Sequence, residues 1–307
     1  MKKKTITTMI TAVFFLAGLS LLLYPFIANQ WNTYRQEQLI SRYDEAVSQK
    51  EEAGTIDYEA EWEKAYAYNE ALLPSILPDS FANAEAADQP DEGYLSCLNL
   101  NGDGMMGYVE IPKIDIKLPI YHTTSEEVLE KAAGHLAGSS LPVGGESTHA
   151  VISAHRGLPS ATLFTDLEKL EAGDHFLIYV LDRVLCYETD QITVVEPKET
   201  QGLAVKEGED LVTLLTCTPY GVNSHRLLVR GHRVYEQPEK VKEESLPLSN
   251  MSLHTNYLLW VVVGLLITGV FTGALYLWDR RKGRRALDLQ GQEKTRKDQD
   301  SKAGEEE

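Results

Sequence analysis

The chain has 307 residues and a formal net charge of −17, with 46 acidic against 29 basic side chains. So large an acidic excess argues against a nucleic-acid partner, because phosphate binding needs Lys and Arg clustered on one face. The three cysteines are not the even set of a disulfide framework, so one thiol is left over even if Cys97 and Cys186 pair.

Two uncharged stretches predict membrane spans at the two ends of the chain. The first lies within residues 1–34, where Lys2–Lys4 precede an apolar centre at Met9–Ala28; the second, 257–278, precedes the basic cluster Arg280–Arg285. About 20 apolar residues cross a bilayer as a helix, and basic residues stay on the cytoplasmic side. We therefore expect a protein of the cell membrane with both termini in the cytoplasm, the residues between the spans outside, and the lipid bilayer as a partner. A cleaved signal peptide is the alternative for the first stretch.

The regions between and after the spans differ in composition. Residues 35–73 carry apolar side chains at helical spacing and predict an extracellular stalk of one or two amphipathic helices. Residues 74–92 are rich in Pro, Ala and acidic side chains without a period, which predicts a long loop, either a linker or a functional segment. Residues 93–245 form the main domain, and residues 279–307 predict a disordered cytoplasmic tail.

The main domain is predicted to be mainly β. Short alternating runs separated by turn residues predict eight strands, with short helices at Ser125–Ala133 and Ala161–Leu170. Because the pattern lacks β-α-β alternation, it favours a closed or nearly closed β-barrel over a doubly wound parallel sheet. The eight runs are Tyr108–Ile111, Ile116–Ile120, His149–Ser153, Phe176–Val180, Val184–Thr189, Ile192–Val195, Leu211–Thr216 and Arg226–Val229.

The segment Asn99–Glu110 at the start of this domain matches the spacing of an EF-hand calcium loop. Its first position lacks a carboxylate, and the residues that follow are strand-like rather than helical. An ordinary Asn-Gly or Asp-Gly turn explains the same residues. We therefore predict no metal site, and the sequence indicates no cofactor.

The stretch "TLLTCTPYGVNSHRLLVRGHR", Thr213–Arg233, holds the strongest candidate for chemistry. Cys217 lies where an apolar strand meets a polar turn, and antiparallel pairing with the next strand brings Arg226 back beside it. Arginine cannot lose its charge and can stabilise a thiolate or an oxyanion. Arg230 lies further along the strand, roughly 13 Å away at ~3.3 Å per residue. His155, which follows an apolar strand and enters a loop, is the candidate acid or base.

The residues alone leave a packing role for Cys217 open, because a free cysteine is often simply buried. Their order argues against a papain-like protease, in which Cys precedes His, whereas here His155 comes first.

The stretch around Cys217 closely resembles the active-site segment of sortases, and within them the class C, pilin-polymerising group. The segments "GYVEIPKIDIKLPIYH", "GHLAGSSLPVGGESTHAVISAHRGLPSATLFTDLEKL" and "GDHFLIYVL" resemble barrel strands of the same family. The resemblance extends from about Tyr68 to Val234. It implies a sortase-like eight-stranded β-barrel in a membrane-anchored cysteine transpeptidase of Gram-positive bacteria, with His155, Cys217 and Arg226 as catalytic residues.

The resemblance also implies partners. Sortases of this class cleave LPxTG-like sorting signals of pilin or surface proteins through a Cys thioester and join them to a lysine amine of another pilin subunit. The alternatives are a housekeeping sortase, which attaches surface proteins to the cell-wall precursor, and a non-catalytic membrane scaffold.

The loop 74–92 becomes a candidate lid under this interpretation. Class C sortases typically carry an Asp-Pro-aromatic lid, whereas this chain reads Pro78-Asp79-Ser80-Phe81. The lid interpretation has Asp79 pair with Arg226 and Phe81 cover the thiol. Because the order of residues departs from the family pattern, we expect a weaker closure than usual.

Overall fold

A computed structural model describes residues 2–72 and 91–244, with short helical pieces at 262–266, 268–269 and 272–273. By its internal contacts the chain divides into two compact units, Met1–Ser249 and Asn250–Glu307. The helical pieces belong to the second unit and fall within the predicted span 257–278, most of which lies outside the described residues. Asp79 and Phe81 of the candidate lid and the predicted tail also lie outside them.

The first unit is built around a closed barrel of eight strands, which confirms the prediction of a mainly β domain. Around the barrel the strands follow the order β1-β2-β3-β4-β7-β8-β6-β5. Neighbours are antiparallel except for the pairs β2–β3 and β4–β7, which are parallel. The strands are β1 Met105–Ile111, β2 Ile116–His122, β3 Ala133–His135, β4 Thr148–Ser153, β5 His175–Val180, β6 Arg183–Val195, β7 Asp210–Thr218 and β8 His225–Val234.

Five helices accompany the barrel in the described part of the first unit. They are α1 Lys2–Ala53, α2 Tyr58–Ala71, α3 Glu92–Ser96, α4 Glu126–Leu129 and α5 Pro238–Glu244. Of the helices described, α1 is the one long and apolar enough to cross a bilayer, over a stretch that begins at Val13. It continues without a break past residue 34, so the predicted anchor and the first part of the predicted stalk form one helix. It ends at Ala53, and Gly54 follows with a φ of +57°, which suits glycine.

Both long helices pack on the barrel through buried aromatic side chains. Tyr43 of α1 donates to the carbonyl of Met106 at 3.1 Å and accepts from the amide of Leu181 at 2.8 Å. Trp62 of α2 is buried, and its indole nitrogen donates to a carboxylate oxygen of Asp182 at 2.7 Å. Each of these buried rings adds packing area, and the hydrogen bonds of its polar atom set the orientation of its helix on the barrel.

Two predicted strand runs and two predicted helices differ from the structure. The runs Val184–Thr189 and Ile192–Val195 are a single strand, β6, whose register shifts between Thr189 and Gln191. A bulge of this kind interrupts the alternation of side chains, and therefore looks like a strand end in the sequence. The predicted helix Ala161–Leu170 is mostly turn, with one 3-10 turn at Leu167–Lys169.

The predicted helix Ser125–Ala133 shortens to α4, because its last residue already belongs to β3. This strand of three residues was not predicted. In the segment with EF-hand spacing, the Asn99 side chain accepts from the Gly104 amide at 2.9 Å, and Glu110 lies in β1 with an oxygen 2.9 Å from Lys242 Nζ. These residues therefore form a turn and a strand.

Candidate active site

Cys217 and Arg226 occupy one edge of the barrel. Cys217 is the penultimate residue of β7, and Arg226 is the second residue of β8, directly opposite it in the antiparallel register. The predicted pairing is confirmed. Both side chains are buried, with exposed fractions of 5% for Cys217 and 9% for Arg226. Burial strengthens the effect of a fixed positive charge on a neighbouring sulfur atom.

The guanidinium of Arg226 is held by the turn that precedes it. Its Nη1 atom donates to the carbonyls of Asn223 and His225, each at 3.2 Å. Arg230 is engaged differently, since it forms a two-pronged ion pair with Asp190 at 2.9 and 2.8 Å. Arg226 and Arg230, both in β8, therefore have different partners, and of these two only Arg226 lies opposite the thiol.

His155 reaches the same edge from β4. Because β4 and β7 are parallel, their carboxyl ends meet, and Ser153 lies opposite Leu215. Beyond that pair, the Ala154 amide donates to the Leu215 carbonyl at 3.1 Å, and the Thr216 hydroxyl donates to the Ala154 carbonyl at 2.8 Å. The register thus places His155 level with Cys217, and the barrel order β4-β7-β8 places the three candidate residues side by side.

Burial lowers the pKa of the half-buried His155 below its usual value, while the carboxylates of Glu126 and Glu130 oppose the shift. At neutral pH the imidazole therefore favours its uncharged form, which can accept a proton. Both glutamates belong to or follow α4, which places an acidic surface near the imidazole.

Arg156, next to His155, is a further residue of this edge to which no sequence pattern pointed. Its buried guanidinium donates to the Thr218 hydroxyl at 3.1 Å, forms an ion pair with Glu168 and lies 5.8 Å from the centre of the Tyr220 ring. These contacts tie the loop after β4 to the turn after Cys217. Its position beside the candidate histidine was the one feature of the sequence that could have drawn attention to Arg156, but only the fold shows which groups its side chain contacts.

The other two cysteines have structural surroundings. None of the three cysteines is in a disulfide, so Cys97 and Cys186 are not paired. The Cys97 thiol donates to the Gly93 carbonyl at 3.2 Å, and the Cys186 thiol to the Glu236 carbonyl at 3.4 Å. Burial raises the pKa of both thiols, which favours the unreactive protonated form.

Within the described ranges, no group of three or more His, Cys, Asp and Glu side chains is arranged to hold a metal ion. The contacts of Asp79 with Arg226 and of Phe81 with Cys217 stay a prediction, because Asp79 and Phe81 lie outside the described residues.

Comparison with known proteins identifies relatives of this site and fold. A family model described as "Sortase domain" matches residues 109–234. Sortase D of Bacillus subtilis (strain 168) is 30% identical over 156 residues, which cover 50% of this chain and 71% of the relative. Sortase A of Bacillus anthracis is 26% identical over 160 residues, or 52% of this chain and 74% of that protein.

Solved structures of class C enzymes are more similar still. A Sortase C of Streptococcus pneumoniae has a TM-score of 0.57 and 47% identity, and the match covers 65% of this chain and 97% of that one. Sortase C-1 of Actinomyces oris has a TM-score of 0.56 and 46% identity, with 58% of this chain and 98% of that one covered. The similarity therefore includes nearly the whole of each solved domain.

Proposed function

Since the chain belongs to the sortase family of cysteine transpeptidases, we propose that it acts as a class C sortase that joins pilin subunits. The observation that carries the proposal is the direct pairing of Cys217 with Arg226, with His155 two residues beyond the end of the neighbouring parallel strand. The similar Streptococcus pneumoniae Sortase C, whose structure is described in terms of catalysis and pilin substrate specificity, supports the choice of substrate class.

The first half of the proposed reaction forms a thioester. The Cys217 thiol gives its proton to the neutral His155 imidazole as its sulfur attacks the threonine carbonyl of an LPxTG-like signal, and the electron pair of the carbonyl moves onto its oxygen. Arg226 stabilises that oxyanion through its fixed charge and planar donors. When the intermediate collapses, the bond from threonine to glycine breaks, and His155 supplies the proton that the leaving glycine amine needs.

The second half transfers the acyl group. A lysine amine of another pilin subunit attacks the thioester carbonyl and gives up a proton to His155. The carbon–sulfur bond breaks, an isopeptide bond remains, and the proton on His155 passes to the departing sulfur, which regenerates the Cys217 thiol. The neutral imidazole favoured by burial is the form that can accept this proton.

We also propose that the enzyme works at the cell membrane, with the barrel outside and both termini in the cytoplasm. The apolar helix α1 supports the first span. The second span at 257–278 and the basic cluster after it rest on the sequence pattern. Holding enzyme and pilin precursors in one membrane raises their effective concentration.

The test is to incubate the full chain with an LPxTG-type peptide and to measure the mass of the intact protein. We expect an acyl adduct that maps to Cys217, lost in Cys217→Ala and kept in the matched variants Cys97→Ala and Cys186→Ala. An adduct in Cys217→Ala contradicts the assignment. Supplying either a pilin lysine peptide or a cell-wall precursor amine then separates a pilin polymerase from a housekeeping sortase, and a scaffold forms no adduct at all.

A further inference from the structure

One face of α1 holds the loop that follows His155. The Asn29 side-chain oxygen accepts from the amide of Thr162 at 2.7 Å and from its hydroxyl at 2.9 Å. One turn later, the Asn32 amide donates to the Ser160 carbonyl at 2.7 Å. Residues three and four apart share a helix face, so these contacts form one continuous attachment.

The same helix runs from the active-site end of the barrel to the opposite end. Further along the helix, Tyr43 bonds Met106 and Leu181. Leu181 precedes β6, whose last residue, Val195, pairs with Arg226. Leu181 and Arg226 therefore lie at opposite ends of β6. At 1.5 Å per residue, Tyr43 is roughly 20 Å beyond Asn29 along the helix.

The active-site end is also the end nearest the apolar part of α1. Asn29 directly follows the apolar centre that closes at Ala28. Trp31 and Tyr34, both exposed, have ring centres 6.2 Å apart and follow within about two turns. Tryptophan and tyrosine gather at the membrane–water interface, and the polar layer on each side of the hydrocarbon core is only ~5–7 Å thick. The attachment at Asn29 thus lies at headgroup level when α1 spans a bilayer.

The turn between β7 and β8 presents apolar side chains next to this attachment. Tyr220 packs against Gly157, where an added Cβ atom would lie 3.1 Å from its ring. Tyr220 and Val222 are nonetheless 52% and 69% exposed. Pro159, in the loop held by α1, is exposed as well. An exposed apolar cluster beside a membrane helix is suited to contact with lipid.

From these contacts we infer that the active-site end of the barrel faces the bilayer, and that Pro159, Tyr220 and Val222 form a surface for the lipid headgroup region. The inference rests on the proposed membrane anchoring and deepens the proposed function, because it directs the thiol towards the surface from which membrane-held substrates emerge. The surface is apolar and aromatic rather than basic, so zwitterionic lipid is sufficient.

The test measures how close each end of the barrel lies to lipid. Val222→Cys and the matched control Val205→Cys are each made in the full chain, in a Cys217→Ala background. Val205 is also exposed, but it precedes β7 and so lies at the opposite end of that strand. Each variant carries a fluorophore on the new thiol and is reconstituted in phosphatidylcholine vesicles with a headgroup spin-labelled lipid as quencher.

We expect severalfold stronger quenching at position 222 than at position 205, with little change when the salt concentration is raised. Equal quenching at the two positions, or none at either, overturns the inference. The readout requires no turnover, and the acyl-adduct measurement on the unlabelled enzyme requires no bilayer. Failure of the orientation is therefore distinguishable from failure of the transpeptidase assignment.

Discussion

Cys217 lies directly opposite Arg226 across β7 and β8, whereas Arg230 lies opposite Thr213, four positions deeper in the same pair of strands. The strand β8 thus presents Arg226 beside the thiol and Arg230 in an ion pair with Asp190. Arg226 and Arg230 have the same charge and belong to the same strand, and they differ in position and in partners. They are therefore a matched pair for mutagenesis.

Arg226→Lys is expected to lower turnover by about 10²-fold or more, the scale seen when an oxyanion donor is removed. Lysine keeps the positive charge but loses the planar donors that bond the Asn223 and His225 carbonyls. Steady-state kinetics with a sorting-signal peptide and a lysine acceptor measure the effect. The control, Arg230→Lys, is expected to lower turnover far less. Equal losses in the two variants would contradict the role given to Arg226.

The double substitution Glu126→Gln with Glu130→Gln is expected to lower the pKa of His155 further. The two carboxylates favour the charged imidazolium and so raise the pKa, whereas burial lowers it. Without the carboxylates, the lowering by burial is opposed less. NMR titration of the imidazole measures the midpoint, which should move to lower pH. Glu127→Gln, in the same helix and paired with Lys131, is the matched control. An unchanged or higher midpoint in the double variant would show that these charges do not reach His155.

Unfolding free energy is expected to fall as the pH is lowered from about 6.5 towards 4. Burial lowers the pKa of His135 to about 4, while an unfolded chain binds the same proton near pH 6.5. The unfolded state therefore holds more protons throughout this window, and the loss of stability from this group reaches about 3 kcal/mol. Burial also lowers the pKa values of His122 and His149, so their contributions have the same sign.

Denaturant unfolding of the full chain at pH 7 and pH 4.5 measures this dependence. His135→Gln removes the contribution of the buried His135 and should reduce the difference in unfolding free energy between the two pH values. Substitution of the exposed His232 by Gln should leave that difference as in the parent. A parent and a His135→Gln variant with the same pH dependence would show that His135 is protonated without unfolding.

The candidate lid leads to a prediction about thiol reactivity. Asp79→Ala with Phe81→Ala is expected to speed modification of Cys217 by a bulky thiol reagent, because a lid that pairs with Arg226 and covers the thiol would exclude the reagent. The labelling rate is followed by mass spectrometry, and barrel stability is measured alongside. Asp88→Ala, in the same segment, is the control. A double variant that labels at the parental rate identifies the segment as a linker.

Local sequence patterns predicted the barrel because most of its strands alternate cleanly. They missed β3, since Ala133–His135 is too short to show a period and is fixed by pairing with β2 and β4. They divided β6, because the bulge that lets Asp190 reach Arg230 interrupts the alternation. Both differences arise from contacts between segments distant in sequence.

The candidate site was more predictable than the fold around it. Cys217 and Arg226 belong to one hairpin, so the register of two adjacent strands was enough to pair them. The contact of Arg156 with Thr218 could not be predicted, because it depends on the parallel pairing of β4 with β7. The attachment of Asn29 to Thr162 likewise joins two segments that no local pattern connects.

The parallel pairing of β4 with β7 determines when the reactive group is completed during folding. Ala154 and Thr216 are 62 residues apart, and β5 and β6 lie between them in the chain. Closing so long a connection costs more entropy than closing the β7–β8 hairpin, so the hairpin can form first. We therefore expect Cys217 and Arg226 to meet before His155 joins them, so that the candidate site stays incomplete until the barrel closes.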